Sequence, residues 1–407
     1  MKELDYIHRC EERLRDKFAE IDEIALENQG KVLTAFQNNR VALRHFMGTT
    51  GYGYGDEGRE CLSKVYAEVF NTEAGIVSPH LLSGTHALSV ALFGLLMPGD
   101  TLLCVSGEPY DTIRPVIYGE GNGSLKDYNV NFQCIALMPN GTFDFESIGK
   151  KLSDDAVKVV YIQRSRGYEL RDAFSCEQIG AVCSFVRQAG FSGCIFVDNC
   201  YGEFVEKIEP TDCGADLAVG SLIKNAGGGI APTGGYICGR QEYIDKIGRR
   251  LTAPSIGLEV GSYEQGYRYF FQGLFLAPHT VAQALKCSLL IGLAMTDLGY
   301  INYPSIDKMP YDITRCIQFD DKEAMLSFIR EIQYASPVDS FVTCEPWDMP
   351  GYSDDIIMAA GTFVSGASIE LSADGPVKPP YIAYFQGGLT YEHGKYALIK
   401  ILSKLKK

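Results

Sequence analysis

The stretch AVGSLIKNAGGG, residues 218–229, places one lysine at the end of an apolar run and three consecutive glycines shortly after it. Partial burial of such a lysine lowers the pKa of its amine and makes the amine a nucleophile toward carbonyl groups. Glycines let the backbone approach a bulky group closely, because they lack a Cβ atom. Taken alone, a lysine before a glycine-rich turn is more often an exposed loop lysine. The role of Lys224 therefore depends on partners elsewhere in the chain.

Length and charge restrict the possible functions. With 407 residues, the chain is long enough for one large domain and a smaller one. A formal net charge of −14 argues against a broad surface for nucleic acid or anionic membrane. The N-terminal residues carry a charged helical pattern that is not typical of a signal peptide. The apolar runs are shorter than the roughly 20 residues of a membrane span. We therefore expect a cytoplasmic protein that binds neither nucleic acid nor membrane.

The thirteen cysteines are scattered without a C-x-x-C pair, so zinc-ribbon spacing is absent from the sequence. An odd count without a secretory pattern favours reduced, mostly buried thiols. The six histidines do not fall at the spacings of metal ligands. The sequence predicts no metal site.

Short apolar segments alternate with helical segments through the first two thirds of the chain. This alternation predicts an α/β fold with a mostly parallel sheet and helices on both faces. Ligands of such sheets bind at the carboxyl ends of the strands. The predicted strands are 76–77, 101–105, 132–137, 157–162, 194–197, 217–219 and 236–238, and the predicted helices are 85–96, 145–152, 176–188 and 241–249.

The two ends of the chain show other patterns. An amphipathic helix over 4–27 precedes every predicted strand and should lie as an arm against the domain or a neighbouring subunit. The C-terminal part reads as an α+β module. Helices are predicted at 259–276, 278–297, 322–332 and 391–405, and strands at 314–319, 357–363, 368–371 and 381–385. We predict a helical arm over 1–50, a large domain over 51–300 and a small domain over 301–407.

A glycine-rich loop, GTTGYGYGDEGRE over 48–60, formally contains the dinucleotide fingerprint G-x-G-x-x-G. The preceding VALRHFMGTT is not the hydrophobic strand that this fingerprint requires. With Tyr52, Tyr54 and Arg59, the loop is more typical of a flexible binding loop.

Two further features can support Lys224. Asp198 ends the apolar run 194–197, where a carboxylate can pair with a ring nitrogen, although a turn or helix-cap acid would look the same. Ser83 is a plausible N-cap of the helix that begins with Gly84 and Thr85. The free N–H groups at such a helix start bind phosphate readily, although any capped helix offers them.

Two more residues have both a functional and an ordinary interpretation. Tyr110 lies in the loop after the strand 101–105, where its ring can stack on a flat ligand or simply pack. Ser221 lies three residues before Lys224, where its hydroxyl can reach a phosphate or face solvent. A lysine for a Schiff base, an aspartate for a pyridinium nitrogen, a phosphate-binding helix start and a stacking ring are together the parts that pyridoxal 5′-phosphate (PLP) requires.

The order of these parts, and the 26 residues from Asp198 to Lys224, resemble fold type I PLP-dependent enzymes. The match is closest to the cysteine/methionine-metabolism branch, which includes methionine γ-lyase and cystathionine β-lyase. More narrowly, the chain resembles the methionine γ-lyase-like family often labelled aluminium resistance protein. The motifs that carry this resemblance are SGTHAL at 83–88, VDNCYGEF at 197–204, SLIKNAGGGIAPTGGY at 221–236 and QGGLTYEH at 386–393. The resemblance covers nearly the whole chain and implies a fold type I PLP-dependent transferase-like fold with a small α+β C-terminal domain.

The resemblance also implies roles for the core of the site. Lys224 would be the Schiff-base lysine and proton shuttle, and Asp198 would keep the pyridine nitrogen protonated. The N–H groups of Gly84 and Thr85, with Ser221 beside them, would hold the phosphate. Tyr110 would stack on the ring.

Further residues follow from the same resemblance. Gln163, Arg164, Ser165 and Arg166 follow the strand 157–162, where the family places contacts to the phenolic oxygen of the cofactor. His86 either touches the cofactor or has a structural role, and Tyr384, Tyr391 and Glu392 would line the substrate pocket. Tyr52, Tyr54 and Arg59 match a tyrosine and an arginine that related lyases send into the phosphate site of a neighbouring subunit. This implies a homodimer or homotetramer with shared active sites.

One departure from the family pattern concerns the substrate. Related lyases clamp the substrate α-carboxylate with an arginine of the C-terminal domain, because a planar fork fits a carboxylate bidentately. The corresponding stretch 381–389 contains no arginine, and only Arg315 and Arg330 occur beyond residue 300. Either Arg164, Arg166 or Arg268 takes over, or the substrate is not a standard amino acid.

The sequence therefore favours a PLP-dependent carbon–sulfur lyase. It would perform β- or γ-elimination on a sulfur-containing amino acid and release a thiol, ammonia and a 2-oxo acid. Two alternatives remain open at this stage. One is another PLP reaction, such as aminotransfer, retro-aldol cleavage or racemisation. The other is a non-catalytic PLP-binding protein.

Overall fold

A computed structural model describes residues 2–349 and 354–404. The helices within these residues are α1 (Lys2–Asn38), α2 (Glu57–Val69), α3 (Gly84–Leu95), α4 (Arg114–Tyr118), α5 (Phe145–Lys151), α6 (Cys176–Gln188), α7 (Gln241–Leu251), α8 (Arg268–Asp297), α9 (Lys322–Ala335) and α10 (Tyr391–Lys404). The strands are β1 (Ala74–Ser78), β2 (Thr101–Cys104), β3 (Asn131–Cys134), β4 (Val157–Gln163), β5 (Cys194–Asp198), β6 (Leu217–Ser221), β7 (Gly235–Gly239), β8 (Ile301–Tyr303), β9 (Thr314–Gln318), β10 (Ile356–Ala359), β11 (Ser372–Pro376) and β12 (Ile382–Gln386).

The large sheet has the strand order β1-β7-β6-β5-β4-β2-β3. The strands from β6 to β3 run parallel to one another, and β7 is antiparallel to both of its neighbours. Every residue of β2, β5, β6 and β7 is buried, as expected for a sheet that is covered by helices on both faces. The predicted α/β fold with a mostly parallel sheet is confirmed. Because β4, β5 and β6 are parallel neighbours, their carboxyl ends meet at one edge.

The second sheet is antiparallel and has the order β10-β11-β12-β9-β8. All of its strands come from residues after 300. The strand predicted over 368–371 was wrong, since β11 begins at Ser372. The preceding segment is a loop closed by Glu370, whose carboxylate accepts the N–H groups of Phe363 and Val364 at 2.9 and 3.0 Å. The same two hydrogen bonds hold Phe363 and Val364 in this loop. Strand β10 therefore ends at Ala359 and does not extend to its predicted end at 363. The predicted end of the last helix, Leu405, lies outside the described residues.

Helix α8 replaces the two helices predicted at 259–276 and 278–297. It begins only at Arg268 and continues through Pro278, although a proline removes one helical hydrogen bond. The helix is buried along most of its length, and this tertiary packing outweighs the local cost of the proline. Its length and composition would allow a membrane span, but 72% of its apolar window is buried inside the protein. It is therefore a core helix.

Helix α1 packs along α8 of the same chain, which is one of the two placements expected for the N-terminal arm. Ile7, Cys10 and Leu14 are buried in this contact. Arg13 and Tyr6 bind the carboxylate of Asp297 at the end of α8, at 2.6 and 2.8 Å. All thirteen cysteines are free thiols, ten of them buried, as the sequence predicted.

Candidate active site

Lys224 lies three residues beyond the end of β6, at the edge where the parallel strands finish. The glycines after it adopt the left-handed conformation, with φ of 58° at Gly228 and 74° at Gly229. A Cβ atom at Gly228 would clash with the carbonyl oxygen of Gly273 in α8, and one at Gly229 would clash with the Leu389 side chain. The close approach predicted for these glycines therefore exists, but they pack against the protein itself.

The side chain of Lys224 reaches back toward β5. Its Nζ atom lies 3.9 Å from the centre of the Tyr201 ring. Burial lowers the pKa of the amine, but Tyr201, Cys200 and Asp198 raise the pKa by more, so the net shift is upward. The predicted lowering of this pKa was wrong, because the sequence did not reveal how many anionic or ionisable groups face the amine.

Asp198 is the last residue of β5, beside Val219 of β6. Its Oδ2 accepts the Tyr161 hydroxyl at 3.3 Å, and its Oδ1 accepts the Cys200 N–H at 3.1 Å. Burial raises the pKa of the carboxyl group, while the Cys200 N–H and the charge of Lys224 oppose that rise. The two hydrogen bonds fix the carboxylate in the cavity that Lys224 also lines.

The start of α3 completes this edge. Ser83 caps the helix, with its Oγ accepting the His86 N–H at 3.1 Å. A Cβ atom at Gly84 would lie 3.3 Å from both Cys200 Sγ and Ser221 Cβ, so glycine allows α3 to begin directly beside β6. The Oγ atom of Ser221 is buried without a hydrogen-bond partner among the described residues. The first N–H groups of a helix also lack partners within the helix.

Tyr110 is held over this edge by Gln163. The Tyr110 N–H donates to Gln163 Oε1 at 2.7 Å, and Gln163 Nε2 donates to the Ser165 carbonyl at 3.0 Å. Gly167 has φ of 57°, and a Cβ atom there would lie 2.8 Å from the Tyr110 ring. Tyr168 then lies between the rings of Tyr110 and Tyr384, with centroids 6.0 and 4.7 Å away.

These residues line one cavity of about 220 Å³ between the large sheet and the C-terminal sheet. The predicted site residues that line it are Ser83, Gly84, Thr85, Tyr110, Gln163, Ser165, Asp198, Ser221, Lys224 and Tyr384. The methionine gamma-lyase family model matches residues 3–406 of the chain.

The chain belongs to this family. It is 46% identical to the uncharacterized protein YnbB of Bacillus subtilis (strain 168) over 389 residues, which cover 95% of this chain and 92% of that protein. It is 47% identical to a solved structure from Clostridium novyi NT described as a carbon-sulfur lyase involved in aluminum resistance, with a TM-score of 0.95 and coverage of 100% and 96%. The pyridoxal-5′-phosphate dependent protein YhfS of Escherichia coli shares the fold, with a TM-score of 0.63 at 16% identity and coverage of 95% and 97%.

The arginines expected to bind substrate in this member of the methionine gamma-lyase family have other partners. Arg164 is fully buried behind the cavity. Its guanidinium donates to Asn199 Oδ1 and the Gly202 carbonyl, both at 2.8 Å, and to Glu206 at 2.5 Å. Glu209 adds a second carboxylate at 3.6 Å. The expectation that Arg164 contacts the substrate was wrong, because its donors are committed to Asn199, Glu206 and backbone carbonyls.

Arg166 and Arg268 also lie outside this cavity. Arg166 is buried against the C-terminal sheet, where it donates to the Tyr303 carbonyl at 2.8 Å and lies 3.5 Å from Asp312. It borders only the neighbouring cavity. Arg268 is exposed at the start of α8, over the Tyr269 ring. Arg166 thus does not line the cavity of Lys224, and its contact with a substrate stays a prediction.

The remaining predicted residues of this family member lie apart from the cavity. His86 accepts the Leu82 N–H through Nδ1 at 3.1 Å, which is the structural alternative for this residue. Tyr52 and Tyr54 are 72% and 67% exposed on the glycine-rich loop. Arg59 donates to the carbonyl of Gly261 at 3.1 Å. It stays a prediction that Tyr52, Tyr54 and Arg59 reach the phosphate site of a neighbouring subunit.

Sequence reasoning missed several residues that line the cavity, among them Tyr168, Tyr201, Asp374 and Gln386. Tyr201 lies within VDNCYGEF, three residues after Asp198, and that proximity was a usable signal. Asp374 had no comparable signal, since it lies in β11, 150 residues beyond Lys224. Its carboxylate accepts the Tyr168 hydroxyl and Gln386 Nε2, each at 2.9 Å. Burial raises its pKa to about 6.

Proposed function

We propose that this protein is a PLP-dependent carbon–sulfur lyase that acts on a sulfur-containing amino acid. The observation that carries the proposal is the convergence of Lys224, Asp198 and the start of α3 on one cavity. These groups come from three different segments of the chain. Together they provide a primary amine, a buried carboxylate and a set of N–H donors, which is the combination that PLP chemistry uses.

The residues present also fit the cofactor. The Ser221 hydroxyl is buried without a partner among the described residues, and leaving it so costs free energy unless a ligand bonds to it. It lies beside Gly84, at the beginning of α3, where N–H groups favour an anion. Ser221 and this helix start would bind the phosphate of PLP. Lys224 would bond to the carbonyl carbon, Asp198 would pair with the ring nitrogen, and Tyr110 would stack on one face of the ring.

When bound, PLP withdraws electrons from the α-carbon of an amino acid that is attached to it. The side chains of the cavity would control the protons at the α-carbon and at the ring nitrogen. Lys224 is the basic side chain of the cavity among the described residues, and it would take the proton from the α-carbon. Asp198, fixed by Tyr161 and the Cys200 N–H, would keep a proton on the ring nitrogen through its negative charge.

In the overall reaction the α-proton leaves, the carbon–sulfur bond breaks and the sulfur departs as a thiol. Water then replaces the nitrogen, so that the products are the thiol, ammonia and a 2-oxo acid. Tyr110, Tyr168 and Tyr384 form a row of packed rings along one side of the cavity, and these rings would keep water from that side while the proton is held.

The proposal is tested with the purified protein and added PLP. We expect a coloured complex, a borohydride-fixed adduct on Lys224 by mass spectrometry, and release of thiol and 2-oxo acid in equal amounts from cysteine, cystathionine or methionine. A protein that binds no PLP would refute the proposal. A coloured protein that forms 2-oxo acid without thiol would indicate aminotransfer.

We also propose a homodimer or homotetramer in which the glycine-rich loop meets a second copy. The support is the exposure of Tyr52 and Tyr54 beside a large surface cavity of about 860 Å³ that Arg59 also lines. Large exposed aromatic groups beside a concave surface are typical of interfaces. Measurement of the native mass, for the protein and for a Tyr52→Ser variant, tests this proposal. A monomeric protein would refute it.

A further inference from the structure

The C-terminal sheet brings a carboxylate to the cavity at the side where related lyases are expected to provide an arginine. Asp374 of β11 lies directly opposite Tyr384 of β12. Each of its two oxygens accepts one hydrogen bond from a neutral donor, Tyr168 or Gln386. No lysine or arginine among the described residues lies within ion-pair distance of Asp374. The carboxylate is thus oriented but not neutralised by an adjacent cation.

The charges of the cavity are few. Within the described parts of the chain, the charged side chains that line it are Lys224, Asp198 and Asp374. In the proposed lyase, both Lys224 and Asp198 bind the cofactor. Of these three charged side chains, Asp374 is then the one that can contact a substrate.

The neighbouring cavity, of about 280 Å³, shares Tyr168 and Tyr384 with the first. Its basic residues already have acidic partners. Arg114 pairs with Asp111 at 2.8 Å, Arg166 with Asp312 at 3.5 Å, and Lys378 with Asp354. An anionic group of a substrate at this end would therefore meet the Asp374 carboxylate, which has no cation within ion-pair distance among the described residues, whereas each nearby cation already lies beside an acid.

We propose that Asp374 is a specificity-determining residue that selects substrates with a cationic group, such as a second ammonium, in the part that extends toward the C-terminal sheet. This inference rests on the proposed lyase function and names the class of substrate for the same site. A charge-assisted hydrogen bond to a buried carboxylate favours the cationic substrate over an uncharged one of equal size by roughly tenfold to hundredfold. A distal carboxylate is disfavoured, because like charges repel in a poorly solvated cavity.

The test uses the PLP-loaded enzyme and three cysteine conjugates that differ only in the group on sulfur. S-(2-aminoethyl)-L-cysteine carries a distal ammonium, S-propyl-L-cysteine is uncharged and of the same length, and S-carboxymethyl-L-cysteine carries a distal carboxylate. Their dissociation constants are measured from the change in cofactor absorbance, and kcat/KM from thiol release. We expect the order aminoethyl, propyl, carboxymethyl, with the first two separated by roughly tenfold or more.

Two variants assign the effect to Asp374. Asp374→Asn keeps the shape and removes the charge, so the three conjugates should bind within about threefold of one another, whereas Asp374→Glu should keep the order. Glu108→Gln, at an exposed acid of the neighbouring cavity, loses the same charge and should also keep the order.

The outcomes separate this inference from the function it rests on. Equal binding of the three conjugates to a PLP-loaded, active enzyme, or an unchanged order in Asp374→Asn, would overturn the role of Asp374 and leave the lyase function standing. Failure to bind PLP would overturn both. If PLP binds and thiol release is absent, the three dissociation constants still decide the role of Asp374.

Discussion

The Nζ atom of Lys224 lies 3.9 Å from the centre of the Tyr201 ring, close enough for a cation–π contact. Tyr201 adopts φ of 71°, in the left-handed region that bulky residues avoid. Two long-range bonds hold it there. Its hydroxyl bonds to Ser368 Oγ at 3.0 Å, and its carbonyl accepts Asn225 Nδ2 at 2.9 Å. Surrounding structure thus holds a strained residue beside the proposed Schiff-base lysine, and such strain is commonly found at functional sites.

Replacement of Lys224 by alanine is expected to abolish the borohydride-fixed adduct and to lower the elimination rate by roughly 10²- to 10⁴-fold, because the base that removes the α-proton is lost. Mass spectrometry of the reduced protein and an assay for thiol release measure the two effects. Lys150→Ala, at an exposed ion pair, is the control and should change neither. A reduced adduct at another lysine in Lys224→Ala would contradict the assignment.

Asp198→Asn is expected to lower the rate by roughly 10²- to 10³-fold with the cofactor still bound, since the amide has the shape of the carboxylate without its charge. Absorbance spectra and kcat/KM measure these properties. Tyr161→Phe removes only the 3.3 Å hydrogen bond and should cost less than about tenfold. Equal losses in the two variants would show that orientation matters more than charge.

Ser221→Ala is expected to weaken PLP binding by roughly tenfold to hundredfold, because one hydrogen bond to the charged phosphate is lost. The stability of the protein without PLP should stay the same or rise slightly, since the Ser221 hydroxyl has no partner among the described residues. Thermal unfolding with and without PLP separates the two effects. An equal fall in both melting temperatures would argue against a phosphate contact.

Arg164→Met is expected to lower the free energy of unfolding by about 3–5 kcal/mol, because it leaves the buried Glu209 and the partly buried Glu206 without their cation. Urea titration measures this change. Arg44→Met, from an ion pair that is 62% exposed on both sides, should cost less than about 1 kcal/mol. Full stability of Arg164→Met with a raised KM would restore Arg164 as a substrate ligand.

Asp374→Asn should stabilise the protein at pH 8 but not at pH 4. The pKa of Asp374 is raised by burial to about 6 in the folded protein, above the value of about 3.9 in an unfolded chain. The folded state therefore binds more protons between these values, and the wild type loses stability as the pH rises through that range. Because asparagine does not ionise, the variant should have a free energy of unfolding about 1–3 kcal/mol higher than that of the wild type at pH 8. Thermal unfolding at both pH values measures it, and an equal difference at pH 4 and pH 8 would contradict this account.

Several elements were predictable because their signals are local. Helix α6 matches its prediction at both ends, since Ser175 and Gln178 form a capping box that defines its start. The two helices predicted around Pro278 were wrong, because the packing of α8 lies outside any local window. The strand predicted over 368–371 was wrong for a related reason, since Glu370 binds N–H groups six and seven residues earlier.

By itself, the sequence determined the alternation of strands and helices and, through it, the meeting of Lys224, Asp198 and the start of α3 at one sheet edge. Parallel strands force this outcome, because their carboxyl ends lie together whatever the loops do. Only the tertiary structure decided that Arg164 and Arg166 pair with buried acids, that the pKa of Lys224 shifts upward, and that Asp374 reaches the cavity. Each of these depends on which distant side chains come within a few ångströms, and electrostatic interactions at that range follow packing and not periodicity.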